Sequence, residues 1–142
     1  GVEGSNVFVQ DPESGRQIGA WITRVGKDLV VAVGGGQKPH VGCVVLAEPR
    51  PAKEGGGAWS ASCSVLTIPP HKEEPIARGV ATRLAETFGR VSVVTAGVHD
   101  DNLDADGIAD YLSLGEKLTA EIVRRLTEDG LSSASKSHRR PR

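Results

Sequence analysis

Apolar and polar residues alternate through the first half of the chain, and the alternation stops at glycine and proline. Asn6 to Gln10 predicts a short strand, closed by the turn Asp11-Pro12-Glu13-Ser14-Gly15. Gln17 to Val25 predicts a second strand, with Ile18, Ala20 and Ile22 on one face and Trp21, Thr23 and Val25 on the other. After the compact turn Gly26-Lys27-Asp28 comes Asp28 to Val33, a β-branched run of the kind covered on both faces. It leads into Gly34-Gly35-Gly36. Val41 to Glu48 predicts a fourth strand, Pro49 to Ala58 a Pro/Gly loop, and Trp59 to Ile68 a fifth strand. Pro69-Pro70 ends the fifth, because proline cannot donate to a ladder.

The apolar period then changes from two to four. His71 to Phe88 predicts a helix, with Ile76, Val80, Leu84 and Phe88 in one stripe and Ala77, Ala81 and Ala85 beside it. Glu73 and Glu74 suit the positive end of its dipole, and Gly89 suits its C-terminal cap. Arg90 to Ala96 predicts a strand and Gly97 to Asp106 a polar loop. Ser113 and Glu116 have the spacing of a capping box for a second helix, Leu114 to Glu128, with Leu114, Leu118, Ile122 and Leu126 in its stripe. Gly130 stops it. The expected fold class is an α/β (α+β) sandwich: a mainly antiparallel sheet of about six strands with two long helices packed on one face. The helix between two strands makes one right-handed crossover.

Composition narrows the class. The chain has 142 residues, enough for one domain with an ordinary core. Its eighteen glycines and 4% aromatics point to many tight turns and a core of Val, Leu, Ile and Ala. Two cysteines, Cys43 and Cys63, exclude a disulfide scaffold and a multi-cysteine zinc fold; both read as buried free thiols. No apolar stretch approaches the roughly 18–20 residues of a membrane helix, and no secretory signal opens the chain, so the expected compartment is the cytoplasm. Lys136, Arg139, Arg140 and Arg142 concentrate positive charge in Ser132 to Arg142, which reads as a disordered basic tail. The rest carries an acidic excess, a poor surface for nucleic acid. Gly1 to Ser5 read as a leftover of expression, leaving a single domain over residues 6–131.

Three polar clusters sit at strand ends. Gly34-Gly35-Gly36-Gln37-Lys38-Pro39-His40-Val41-Gly42 is neither a Walker loop nor a dinucleotide fingerprint, and reads as a phosphate cradle or a glycine-rich turn. His71-Lys72-Glu73-Glu74 opens a helix, as an anion site or a solvated first turn. Thr95-Ala96-Gly97-Val98-His99-Asp100-Asp101-Asn102 reads as a binding edge or a polar connection. Asn102, Asp104 and Asp106 precede Gly107 like the start of a calcium loop, but Ser113 stands where its bidentate Glu belongs; a helix cap is the better reading. His40, His71 and His99 are alternatives for a three-histidine metal site, though without a local spacing that supports one.

Taken together the clusters resemble one family. Asp28-Leu29-Val30-Val31 runs into Gly35-Gly36-Gln37-Lys38-Pro39-His40-Val41-Gly42; Val65-Leu66-Thr67 precedes His71-Lys72-Glu73; and Val94-Thr95-Ala96-Gly97-Val98-His99 leads to Asp101-Asn102. Over about Trp21 to Leu126 this is similar to the prenylated-flavin chaperone (LpdD-like) family, the small subunit associated with UbiD-type hydroxyarylic acid decarboxylases. The resemblance implies a non-catalytic accessory protein. It implies reduced prenylated FMN as bound cargo, a UbiD-type decarboxylase as partner, a homodimer, and a fold related to proteasome-assembly chaperones. It assigns the cargo to Gly35, Gly36, Lys38, Pro39, His40, Gly42, His71, Lys72, Glu73, Thr95, Gly97, His99, Asp101 and Asn102. Gly35, Gly36 and Lys72 are the candidates for phosphate, and His40, His71 and His99 for the flavin ring. The alternatives are a small metal- or flavin-dependent enzyme using the three histidines, and a structural assembly subunit.

Overall fold

The computed structural model describes residues 2–53, 58–70 and 72–133. The strands are β1 (Val2–Gln10), β2 (Gln17–Val25), β3 (Asp28–Gly36), β4 (Cys43–Pro51), β5 (Trp59–Thr67) and β6 (Ser92–His99). The helices are α1 (Glu74–Phe88) and α2 (Ala105–Glu128). The strands form one open sheet in the order β1-β2-β3-β6-β4-β5, antiparallel except for the β3–β6 pair. This is the expected α+β class. Since β5 and β6 are each antiparallel to β4, they run the same way, and α1 is the crossover between them.

The period-two pattern sorts residues to the two faces. Ile18, Ala20 and Ile22, Leu29, Val31 and Val33, Cys43, Val45 and Ala47, and Val94 and Ala96 are buried under the helices. The stripes Ile76–Val80–Leu84–Phe88 and Leu114–Leu118–Ile122–Leu126 meet them, α1 over β4, β5 and β6, and α2 over β1 and β2. The other sheet face carries exposed Phe8, Trp21, Val30, Leu46 and Leu66. The run Asp28–Val33 is thus apolar on both faces while the helices of this chain cover one.

Several boundaries differ from expectation. β1 begins at Val2, four residues before the expected Asn6, and its backbone pairs with β2 from Val2↔Val25 through Ser5↔Ile22. Pro49 and Pro51, assigned to a loop, continue β4 against Ala61 and Trp59. They are tolerated because β6 pairs with β4 only as far as Ala47, which leaves no ladder for their missing N–H groups to break on that side. β6 runs on to His99. α2 starts nine residues before Leu114, at Ala105. Asp104 is its cap, accepting the Gly107 N–H at 2.9 Å, and Ser113 is interior to the helix rather than a cap. The calcium-like spacing is therefore this cap. Gly89 closes α1 in the left-handed conformation, as expected. Both cysteines are free; Cys43 is buried and Cys63 half-buried. His71 and residues 134–142, most of the basic tail, lie outside the described residues, as do residues 54–57 of the Pro/Gly loop.

One feature of the topology shapes everything at one end of the sheet. β3 and β4 are consecutive in the chain, yet β6 lies between them. The connection Gln37–Gly42 must therefore step over β6. Gly19, Gly34 and Gly97 are register partners across β2, β3 and β6, and they leave a row without side chains on the outer face. The Phe8 ring covers Gly19, Pro39 covers Gly34, and the His40 backbone crosses directly over Gly97. Lys38 N–H donates to the His99 carbonyl at 3.1 Å, His40 N–H to Gly97 at 3.4 Å, and Gly42 N–H to Ala96 at 2.8 Å. A Cβ at Gly97 would overlap the His40 carbonyl group. Replacing Gly97 by Ala is expected to destabilise the fold by at least about 1–3 kcal/mol, the usual cost of overpacking. Urea denaturation measures this, and an unchanged midpoint would contradict the crossing geometry.

Candidate functional site

The parallel β3–β6 pair ends at one edge of the sheet, beside the start of β4. Residues beyond the carboxyl ends of such strands, where strand order switches, are the usual place for a ligand in open sheets. Four segments converge there: the β1–β2 turn around Ser14–Arg16, the crossing Gln37–Gly42, the approach to α1 at Lys72–Glu73, and His99–Asn102.

Glu73 lies just before α1, with Pro75 in the first turn behind it. Its carboxylate is 3% exposed, 3.3 Å from His40 Nε2, and accepts the Val98 N–H at 3.5 Å. Gly42 is glycine for a reason that can be measured: a Cβ there would sit 2.8 Å from Glu73 Oε1. His40 Nδ1 is 3.1 Å from the Lys38 carbonyl oxygen. The crossing is thus tied down from its inner side by a buried acid. The His40 and His99 rings lie edge to face with centroids 6.5 Å apart.

A second set of bonds locks the crossing to the end of β6. Asp100 accepts the Gln37 N–H at 2.8 Å and the Tyr111 hydroxyl at 2.6 Å. The Gln37 side chain accepts the Asp101 N–H at 2.8 Å. The Asp101 carboxylate is 3.2 Å from His99 Nε2 and 3.5 Å from Lys38 Nζ. Arg16 stands 3.8 Å from Asp100 and 3.2 Å from Asp110, which also accepts the Ser14 hydroxyl. Burial alone would raise the Asp100 carboxyl. The Tyr111 hydroxyl, the Gln37 amide and the charge of Arg16 outweigh it and hold the group below the ordinary aspartate value. Burial first, and then the bond to Asp100, push the Tyr111 phenol well above its ordinary value.

Most of the residues singled out from the sequence meet here: Gly36, Lys38, Pro39, His40, Gly42, Glu73, Gly97, His99 and Asp101. Asn102 turns the chain away in the left-handed region, at φ 58°. Lys72 flanks an apolar hollow lined by Ile76, Val98, Leu103 and Ile108. Gly35 is part of β3, in register with Ile18 and Val98, and Gly36 ends the strand at φ 78° against the His99 carbonyl. Both glycines thus belong to the sheet rather than to an open loop. Thr95 pairs with Ala32 and Val44 further back in the sheet. His71 lies outside the described residues. Arg16, Asp100, Asp110 and Tyr111 escaped the sequence reading, as did any structural role for Gln37. Asp100 stood in the right cluster, and Tyr111 is the chain's one tyrosine, but both roles depend on where α2 begins.

Around the loop His99–Leu103 the surface offers two unlike environments. On one side is an open, polar cleft of about 460 Å³ lined by Arg16, Gln37, Asp100, Asn102 and Tyr111. On the other is the apolar hollow beside Lys72. Among the described residues no group of three or more His, Cys, Asp or Glu is placed to hold a metal ion. No described helix is long and apolar enough to cross a membrane.

Comparison with known proteins follows the same region. A family profile described as the prenylated flavin chaperone LpdD-like domain matches residues 12–127. No curated protein matches the chain. Among solved structures, a chaperone complex for yeast 20S proteasome assembly matches with a TM-score of 0.61 and 17% identity, over 88% of this chain and 98% of that one. At that identity the likeness is one of fold.

The lowered Asp100 carboxyl sets a pH dependence. A group held below its unfolded value, about 3.9 for aspartate, contributes stability above that pH and loses it on acidification through the folded value. The protein is expected to lose stability below about pH 4, with a shallower loss in Asp100→Asn. Thermal melts between about pH 6 and pH 2 would show this, and parallel profiles for the two proteins would contradict it.

Proposed function

The chain belongs to the prenylated flavin chaperone LpdD-like family, and from that premise we propose that it holds reduced prenylated FMN as cargo, without catalysing a reaction, and passes it to a UbiD-type aromatic acid decarboxylase. The observation that carries the reading is the convergence of both halves of the family pattern, Gly35–Gly42 and Thr95–Asn102, on the ends of β3 and β6. A flavin nucleotide needs donors and a cation for its phosphate, and an apolar wall with a few directed groups for its ring. Lys72 lines the apolar hollow, the hollow and the polar cleft share Leu103 and Tyr111, and the exposed His40 and His99 rings lie edge to face nearby, with Lys38 beside Asp101. No residue is needed for covalent attachment, which suits a protein that must release what it holds.

We further propose that the working form is a homodimer joined through the outer sheet face. Six strands about 4.8 Å apart and about nine residues long present roughly 800 Å², close to one partner's share of a standard interface. Val30 and Leu46 lie at its centre, and both are 40% exposed. Light scattering is expected to give a dimer, and a monomer for Leu46→Lys. A monomeric wild type, or a dimer unaffected by that substitution, would contradict the proposed face.

The cargo reading is tested by anaerobic gel filtration with reduced prenylated FMN, plain FMN serving as the control. The prenylated flavin is expected to co-elute near one per protomer or per dimer, and to transfer to an apo-decarboxylase. A folded protein that carries none of it would overturn the cargo role and leave an assembly subunit or an enzyme.

A further inference from the structure

Resting on the cargo reading above, the geometry assigns different tasks to the two histidines of the site, and we propose that His99 recognises an N–H group of the cargo through Nδ1. The argument is a count of donors and acceptors. Both ring nitrogens of His40 are engaged within the protein, Nδ1 with the Lys38 carbonyl and Nε2 with the buried Glu73 carboxylate. Both contacts are internal to the protein, so neither ring nitrogen of His40 is left over for a ligand. Its ring is a strut under the crossing. His99 is different. Its Nε2 lies 3.2 Å from Asp101, whose carboxylate only accepts, so the proton of neutral His99 belongs on Nε2. Nδ1 is then an acceptor, on a ring 38% exposed to solvent.

That tautomer is not left to one exposed carboxylate. Asp101 is itself held in place: Tyr111 O–H and Gln37 N–H both donate to Asp100, and Asp101 N–H donates to the side chain of the Gln37 so fixed. Tyr111 is 3% exposed and lies in α2, so the Asp100 carboxylate that holds Gln37 is tied to a fixed point. The tyrosine keeps its proton and the aspartate stays ionised over the ordinary pH range, and the direction of donation does not reverse. Tyr111, Asp100 and Gln37 are therefore positioning residues, and Asp101 sets the tautomer. The pyrimidine-like ring of a flavin carries N–H groups of the kind an acceptor nitrogen would select.

Histidine ¹⁵N spectroscopy tests the tautomer without any flavin. In the wild type, neutral His99 is expected to show a pyrrole-type Nε2 and a pyridine-type Nδ1. In Tyr111→Phe and Gln37→Ala the two shifts are expected to move towards each other. The Gln37 variant removes the hold on Asp101 at an exposed residue and keeps the test available if the Phe variant does not fold. Affinity for reduced prenylated FMN is expected to fall roughly tenfold in both variants and in His99→Ala. A pyridine-type Nε2 in the wild type would overturn the inference. So would wild-type affinity in His99→Ala. Failure of the wild type to bind prenylated FMN, with the tautomer as described, would overturn the cargo reading and with it the ligand half of this one.

Discussion

The arrangement at the candidate-site end of this molecule follows from a single topological demand: β6, made late in the chain, is inserted between β3 and β4, which are neighbours in sequence. Their connection must cross a strand it does not belong to. It can do so at close range only where that strand has no side chain. Gly97 meets the demand on β6, and Gly34 meets it beside Pro39 on β3. The crossing then carries His40 to one side of β6 while β6 itself delivers His99. The glycines of the family pattern are therefore needed for the path of the backbone, and the histidines arrive where that path sends them.

A segment lying over a sheet by three backbone bonds would be a weak platform alone. Two anchors stiffen it. From the helix layer, the buried Glu73 carboxylate reaches His40 and the amide of Val98, and Gly42 leaves room for it. From α2, Tyr111 and Asp100 hold Gln37, and Gln37 holds Asp101 in return. Both anchors are set on elements whose apolar stripes are fully buried, so the site inherits its rigidity from the core. The ion pairs of Arg16 and Lys38 are more exposed and contribute less.

Much of this was legible in the sequence, and the exceptions have physical causes. The alternation of Ile18, Ala20 and Ile22 and the fourfold spacing from Ile76 to Phe88 located strands and a helix, because burial of one face imposes those periods. The start of α2 was missed because Asp104, Asp106 and Gly107 have loop-like composition; here the aspartate caps, and Gly107 lacks a Cβ that would strike Leu103. Losing that turn hid Tyr111 and with it the role of Asp100. Pro49 and Pro51 looked like a loop because their tolerance depends on where a distant strand stops. The gathering of His40, Glu73, His99 and Asp101 rested on the likeness of pattern, since strand order is not written in local composition. The three-histidine reading includes His71, outside the described residues.

The family assignment and the geometry bear on one claim, that a prenylated flavin is held at the carboxyl ends of β3 and β6. The most direct measurement is a residue-resolved amide spectrum of the protein, recorded anaerobically with and without reduced prenylated FMN. The account predicts that the largest shifts fall within Gln37–Gly42 and Gly97–Asn102, with Val30 and Leu46 little changed. Shifts centred on the outer face around Val30 and Leu46, or no shifts in a folded protein at saturating flavin, would contradict it.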